Sequence, residues 1–232
     1  MMNHGCEGHF TERLLPLPRS YWAYRPATSS PEVGPLPAAR NGFITFGSLN
    51  SLAKVNARVL RTWAALLARV PNSRLVIHVP GGGRNPSILR RIADHGIPLD
   101  RLDALEYRPR EQYLDAYNRI DVALDPFPYG GGTTSLDAAW MGVPVVTLAG
   151  RPPVARAGVT ILTNLGLPEL IAHTPDQYLD IAASLAADID RLSSLRSTLR
   201  DRMRHSPLMD EPGYVRDLED AYRLAWRAWC GA

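Results

Sequence analysis

Three consecutive glycines, Gly130, Gly131 and Gly132, stand directly before Thr133 and Thr134, and Asp137 follows one helical turn further on. Such a run lets backbone N–H groups approach a ligand with no Cβ in the way. The first turn of the helix it opens carries donors that have no partner within the helix. Together these features make a site for a phosphate, and the hydroxyls of Thr133 and Thr134 add two more donors. Asp137 has the wrong sign for that ligand; its carboxylate suits the hydroxyls of an attached ribose. A glycine-rich loop alone reads equally well as a surface turn before a capped helix. A second residue also stands out: Lys54 is the single lysine among 26 basic side chains. Arginine does not replace lysine where a compact ammonium is needed, so Lys54 is either a functional charge or a chance survivor.

The elements that must position these residues are legible from apolar periodicity. Strands are expected at residues 43–46, 75–79, 102–107, 122–124 and 143–148, with a short sixth at 169–172. Between them fall helices: one capped by Asn56 with an apolar face of Val59, Leu60, Trp63, Leu66, Leu67 and Val70, one opened by Asn85 and Pro86, one over 110–119, one from Thr133 and one over 155–165. Three helices close the chain, at 175–187, 189–203 and 212–229. Alternation of this kind predicts a Rossmann-like parallel sheet with helices on both faces, followed by a C-terminal helical segment. In such sheets ligands sit beyond the carboxyl ends of the strands. Asn50, Ser51 and Lys54 follow the first strand, Arg110 and Tyr113 the third, and Gly130 to Thr134 the fourth, so all the candidates fall on one edge. Gly81 to Gly83, after the second strand, reads as a turn. Residues 1–40, rich in Pro and Gly, read as an extended arm on the surface of a lobe spanning 41–232.

Composition narrows the field further. Hydrophobic residues make up 45% and charged ones 21%, and no apolar run approaches the roughly 20 residues of a membrane span. A net charge of +3 favours anionic ligands but is too diffuse to indicate nucleic acid. Cys6 and Cys230 lack a CxxC spacing or a His partner, which points to reduced thiols, a cytoplasmic setting and no metal.

Phe46 to Val55 (FGSLNSLAKV), Arg108 to Thr134 (RPREQYLDAYNRIDVALDPFPYGGGTT), Asp137 to Gly150 (DAAWMGVPVVTLAG) and Gly166 to Ala172 (GLPELIA) resemble the C-terminal catalytic half of the O-linked N-acetylglucosamine transferase family, with its bacterial and SPINDLY-type members. The likeness runs from about Leu15 to the last helix. It implies the C-terminal lobe of a GT-B glycosyltransferase, the lobe that holds a nucleotide sugar, UDP-GlcNAc being the expected donor. By that resemblance Lys54 meets the diphosphate, Thr133 and Thr134 bind phosphate oxygens beside Gly131 and Gly132, Asp137 meets the ribose, Tyr113 stacks on the base and Arg110 flanks it. Asn50 and Ser51 belong to the same donor site. The chain departs from the family in having Gly130 where many bacterial members have Asn, Gly132 where animal members have His, and Ser51 in place of a longer amide.

The implied reaction is an inverting, metal-independent O-glycosyl transfer to protein Ser or Thr, with Lys54, the threonine hydroxyls and a helix dipole stabilising the leaving diphosphate. The family takes its acceptor contacts and general base from an N-terminal lobe, and often its acceptor choice from tetratricopeptide repeats; neither is expected in this chain. A separate N-terminal lobe or repeat protein is therefore an expected partner, alongside donor and protein acceptor. Two alternatives remain open: a non-catalytic nucleotide-sugar-binding module or half of a split enzyme, and, less well supported, a nucleotide-sugar epimerase. Tyr214, Leu218, Tyr222, Ala225, Trp226 and Trp229 form an aromatic stripe on the last helix, either packed on the protein's own sheet or free to dock.

Overall fold

The computed structural model describes residue 8 and residues 10–231. Six strands, β1 (Thr45–Ser48), β2 (Arg74–His78), β3 (Leu102–Leu105), β4 (Val122–Leu124), β5 (Val145–Leu148) and β6 (Ile171–Ala172), pair in parallel in the order β3-β2-β1-β4-β5-β6. The expected α/β architecture is present. Because the chain leaves β1 towards one edge and returns at β4 towards the other, the crevice between these two strands is the topological switch point. The inner strands are almost wholly buried, as continuous apolar runs in a sheet covered on both faces must be.

Several of the helices begin where side chains supply the missing partners of their first turns. Asn56 accepts from the N–H groups of Arg58 and Val59 at 2.9 and 3.1 Å and so opens α2 (Ala57–Arg69), which buries Val59, Leu60, Trp63, Leu66 and Leu67. Asn85 does the same, with Pro86 at the first position, for α3 (Pro86–Ala93). Thr174 and Pro175 open α7 (Pro175–Ala187). The remaining crossover helices are α4 (Arg110–Asp115), α5 (Thr133–Trp140) and α6 (Ala157–Asn164), and the chain closes with α8 (Ile189–Arg204) and α9 (Glu211–Cys230).

Some boundaries differ from the sequence reading, each for a non-local reason. The first strand starts two residues later and includes Gly47 and Ser48, expected in the turn. Ile120 packs so closely that a Cβ on Gly47 would lie 2.4 Å from its Cδ1, so glycine here marks a packing contact inside the strand. A short helix absent from the reading, α1 (Pro37–Asn41), is capped from a distance: the buried Asp121 carboxylate accepts from Ala38 N–H and Thr45 N–H, both at 2.8 Å. The helix expected over 110–119 tightens into a 3-10 turn at Ala116–Arg119, where the buried Arg196 guanidinium donates to the Ile120 carbonyl at 2.7 Å.

Residues 10–36 carry no regular helix or strand and are tied down by side chains. Arg19 pairs with Asp210 and Asp217, both at 2.7 Å, Arg25 with Glu211, and Tyr24 is buried. The α9 stripe divides in two. Tyr214 and Leu218 are partly covered, whereas Tyr222, Trp226 and Trp229 are 60%, 67% and 84% exposed, so its second half does not pack on this sheet. Cys230 is exposed; Cys6 lies outside the described residues. No helix among the described residues is long and apolar enough to cross a membrane.

Candidate functional site

At the switch point the turn after β1 and the loop after β4 are stitched together. Thr134 Oγ1 donates to Asn50 Oδ1 at 2.8 Å, and Asn50 Nδ2 donates back to Ser48 Oγ at 3.3 Å. Lys54 ends the 3-10 turn Leu52–Lys54, reaches across to donate to the Gly130 carbonyl at 2.9 Å, and lies 4.4 Å from the centre of the Tyr129 ring. An ammonium has three donors, so two remain for an incoming anion. Partial burial pushes the Lys54 pKa below its ordinary value, while the nearby Asp125 carboxylate opposes that shift.

The glycine loop is built to a close tolerance at Gly131. A Cβ there would stand 2.0 Å from Ser135 Oγ and 2.7 Å from Asp125 Oδ1. Asp125 is the floor of the loop: fully buried, it accepts from Ser135 Oγ at 2.7 Å and from Gly131 N–H at 3.3 Å. Its Oδ2 has no hydrogen bond of good geometry. Burial raises its pKa to about 6, against the pull of Ser135, Thr147, Gly131 and Lys54. Above the loop, the Thr133 and Thr134 N–H groups meet no acceptor among the described residues, because the intrahelical bonds of α5 begin at Ser135 N–H. Those two open donors and the positive end of the helix dipole face the same space.

That space is a cleft of about 710 Å³ lined by Asn50, Ser51, Lys54, Gly130, Gly132, Thr133 and Thr134 on one side. Its other walls come from the arm, through Leu14, Leu17, Tyr21 and Trp22, and from the β5–α6 connection, through Val154, Arg156 and Thr160. Trp22 packs against the loop: a Cβ on Gly132 would fall 2.5 Å from its Cη2. Glycine at 132 and this indole therefore go together. No carboxylate or histidine is among the described residues lining the cleft.

The other three candidates gather elsewhere. Arg110, Tyr113 and Asp137 form a knot beside the cleft. Asp137 is fully buried and accepts from Arg110 Nη1 at 2.8 Å, Arg110 Nη2 at 2.6 Å, Tyr24 OH at 2.7 Å and Tyr113 OH at 3.1 Å. Both carboxylate oxygens are thus engaged, and a ribose hydroxyl would have to displace or share one of these donors. Burial raises the Tyr113 pKa. Its ring stands 5.6 Å from His78 and lines a smaller cleft of about 240 Å³ with His78, Arg108 and Gln112. Burial pushes the His78 pKa down.

Several residues of this arrangement, Tyr24 among them, escaped the sequence reading. Asp125 had a signal, being the acid directly after an apolar strand in a parallel sheet. Tyr129 sits in a loop and Arg156 fell inside the helix expected over 155–165, and neither had a signal that separated it from its neighbours. Trp22 comes from a segment read as arm.

The six-stranded parallel sheet with its helices is the α/β fold of a GT-B glycosyltransferase lobe. The sequence profile of Glycosyl transferase family 41 matches residues 36–218, and the chain belongs to that family. It is 41% identical over 223 residues to a probable UDP-N-acetylglucosamine--peptide N-acetylglucosaminyltransferase SPINDLY of Oryza sativa subsp. japonica, covering 94% of this chain and 24% of that protein. To the UDP-N-acetylglucosamine--peptide N-acetylglucosaminyltransferase of Caenorhabditis elegans it is 30% identical, over 80% of this chain and 16% of the relative. The structure of a point mutant of the Thermobaculum terrenum O-GlcNAc transferase superposes with a TM-score of 0.89 at 39% identity, over 98% of this chain and 44% of that one. The chain thus spans less than half the length of each of these relatives.

Proposed function

We propose that this chain is the donor-holding lobe of a metal-independent protein O-glycosyltransferase, binding a nucleotide sugar, UDP-GlcNAc by preference, for inverting transfer to Ser or Thr. The observation that carries this reading is the pairing of Lys54, with two spare donors, and the open Thr133 and Thr134 N–H groups across one cleft at the switch point. In such a transfer an acceptor oxygen bonds to the anomeric carbon as the bond to the diphosphate oxygen breaks, and negative charge grows on the leaving diphosphate. Groups fixed in place before the reaction stabilise that charge without reorganising. The ammonium of Lys54 and the first turn of α5 are such groups.

Among the described residues lining the cleft there is no carboxylate or histidine to take the proton of the attacking hydroxyl. The proposed division of labour follows: this lobe holds donor and leaving group, while acceptor and general base belong to a separate N-terminal lobe. The exposed end of α9 suits contact with such a lobe. A tetratricopeptide-repeat protein would supply the choice of acceptor, in the cytoplasm. The names of the rice and nematode relatives support the donor and acceptor classes.

Thr134→Val tests the phosphate side of this reading. Valine keeps the shape, loses the hydroxyl and leaves Asn50 Oδ1 without its donor. Calorimetry should show UDP binding weakened by about 1 kcal/mol or more, a hydrogen bond's worth, with uridine binding little changed. An equal loss for both ligands would mean that the loop acts only through stability. A parallel UDP and GDP competition reads the base preference.

A further inference from the structure

Arg156 stands at the residue before α6, its side chain making no capping hydrogen bond, and lines the same cleft as Lys54, Thr133 and Thr134. It is poorly satisfied. Its Nη1 makes one long bond to the Gly150 carbonyl at 3.2 Å, and among the described residues its buried Nε has no partner and no carboxylate pairs with it. Elsewhere in the protein, partly buried arginines do find acids or carbonyls, as Arg110 does at Asp137 and Arg101 does at Ser73 and Leu67. A guanidinium presents five donors in a planar fork suited to phosphate oxygens, and a desolvated Nε–H without a partner is costly.

The strand order says which part of a donor it can reach. Along the sheet edge, Tyr113 follows β3, Lys54 follows β1, the Gly130–Thr134 loop follows β4, and Arg156 follows β5. A nucleotide with its base near Tyr113 and its phosphates over the loop would run along this edge, bringing its far end to Arg156. On the proposed donor reading, we infer that Arg156 is a second cation of the site, directed at the distal phosphate of a bound nucleoside diphosphate. It lines the cleft that Lys54 also lines and complements it, so that two fixed charges meet the leaving group where Lys54 alone would leave part of it uncompensated.

The test compares UDP with UMP, which lacks the distal phosphate, on wild type and Arg156→Gln by calorimetry. The expected result is a loss of about tenfold or more in UDP affinity with UMP changed less than about twofold, and Arg156→Lys should restore part of the UDP preference. Equal losses on both nucleotides, or an unchanged UDP affinity, overturn the assignment while leaving the donor site in place. Wild-type protein that binds neither nucleotide would remove the donor reading and this inference with it. Should Arg156→Gln fold poorly, the wild-type Arg156 Nε resonance serves instead: it should shift on addition of UDP and stay unmoved on addition of UMP, and a shift with neither or with both equally counts against the role.

Discussion

Replacing Lys54 with alanine is expected to weaken UDP binding roughly ten- to a hundredfold, the equivalent of about 1.5–3 kcal/mol for a hydrogen bond to a charged group. The magnitude rests on the position of the ammonium. Lys54 is partly buried, held at the switch point by the Gly130 carbonyl and over the Tyr129 ring, so the ordering of its side chain is largely complete before a ligand arrives. Exposed arginines on the helices provide the contrast. Arg223, for example, pairs within α9 with Glu219 and Asp220, where ion pairs contribute about 0–1 kcal/mol, and its replacement should leave UDP affinity unchanged. Calorimetry on the two variants side by side is the measurement. Equal affinities for wild type and Lys54→Ala would sink the assignment of this lysine to the diphosphate.

Asp137→Ala should have its largest effect on stability. The carboxylate is buried, and four hydrogen bonds from three residues end on it. Removing it strands the Tyr24 hydroxyl and the Arg110 guanidinium together, and breaking a buried ion pair from one side costs about 3–5 kcal/mol. Arg110 keeps 44% of its side-chain surface in solvent, which places the expected loss near the lower end. For a chain of this length that corresponds to a fall in melting temperature of about 6–12 °C. Because Tyr24 belongs to the arm, the same variant should make residues near 20–25 more susceptible to limited proteolysis. An unchanged melting temperature would mean that the knot contributes nothing net, and the ribose role would then stand alone for Asp137.

These two residues also mark where sequence reading succeeds and fails. The strand β4, the loop and α5 are legible because their signals are local: an apolar run, three glycines, two threonines and a helix-forming stretch within 121–140. Lys54 is legible by its rarity. The partners of Asp137 lie 24, 27 and 113 residues away in the chain, and no periodicity encodes a tyrosine returning from an irregular arm. The same holds for Trp22 on Gly132 and for Asp121 capping α1, a contact spanning 83 residues. Gly47 misled in the other direction. Glycine ordinarily signals a turn, and here it is required inside a strand because a side chain from elsewhere fills the place of its Cβ.

The isolation of Lys54 has a practical side. An amine-selective reagent meets one side-chain amine in this protein, and that amine stands in the proposed donor cleft. Its depressed pKa raises the share of free, nucleophilic amine at any given pH above that of an ordinary surface lysine. Acylation followed by peptide mapping, which separates Lys54 from the α-amino group that such reagents also modify, therefore becomes a direct gauge of whether the cleft is filled. A ligand that shields the ammonium slows modification of Lys54, and the arginine-coated remainder of the surface contributes no other side-chain amine.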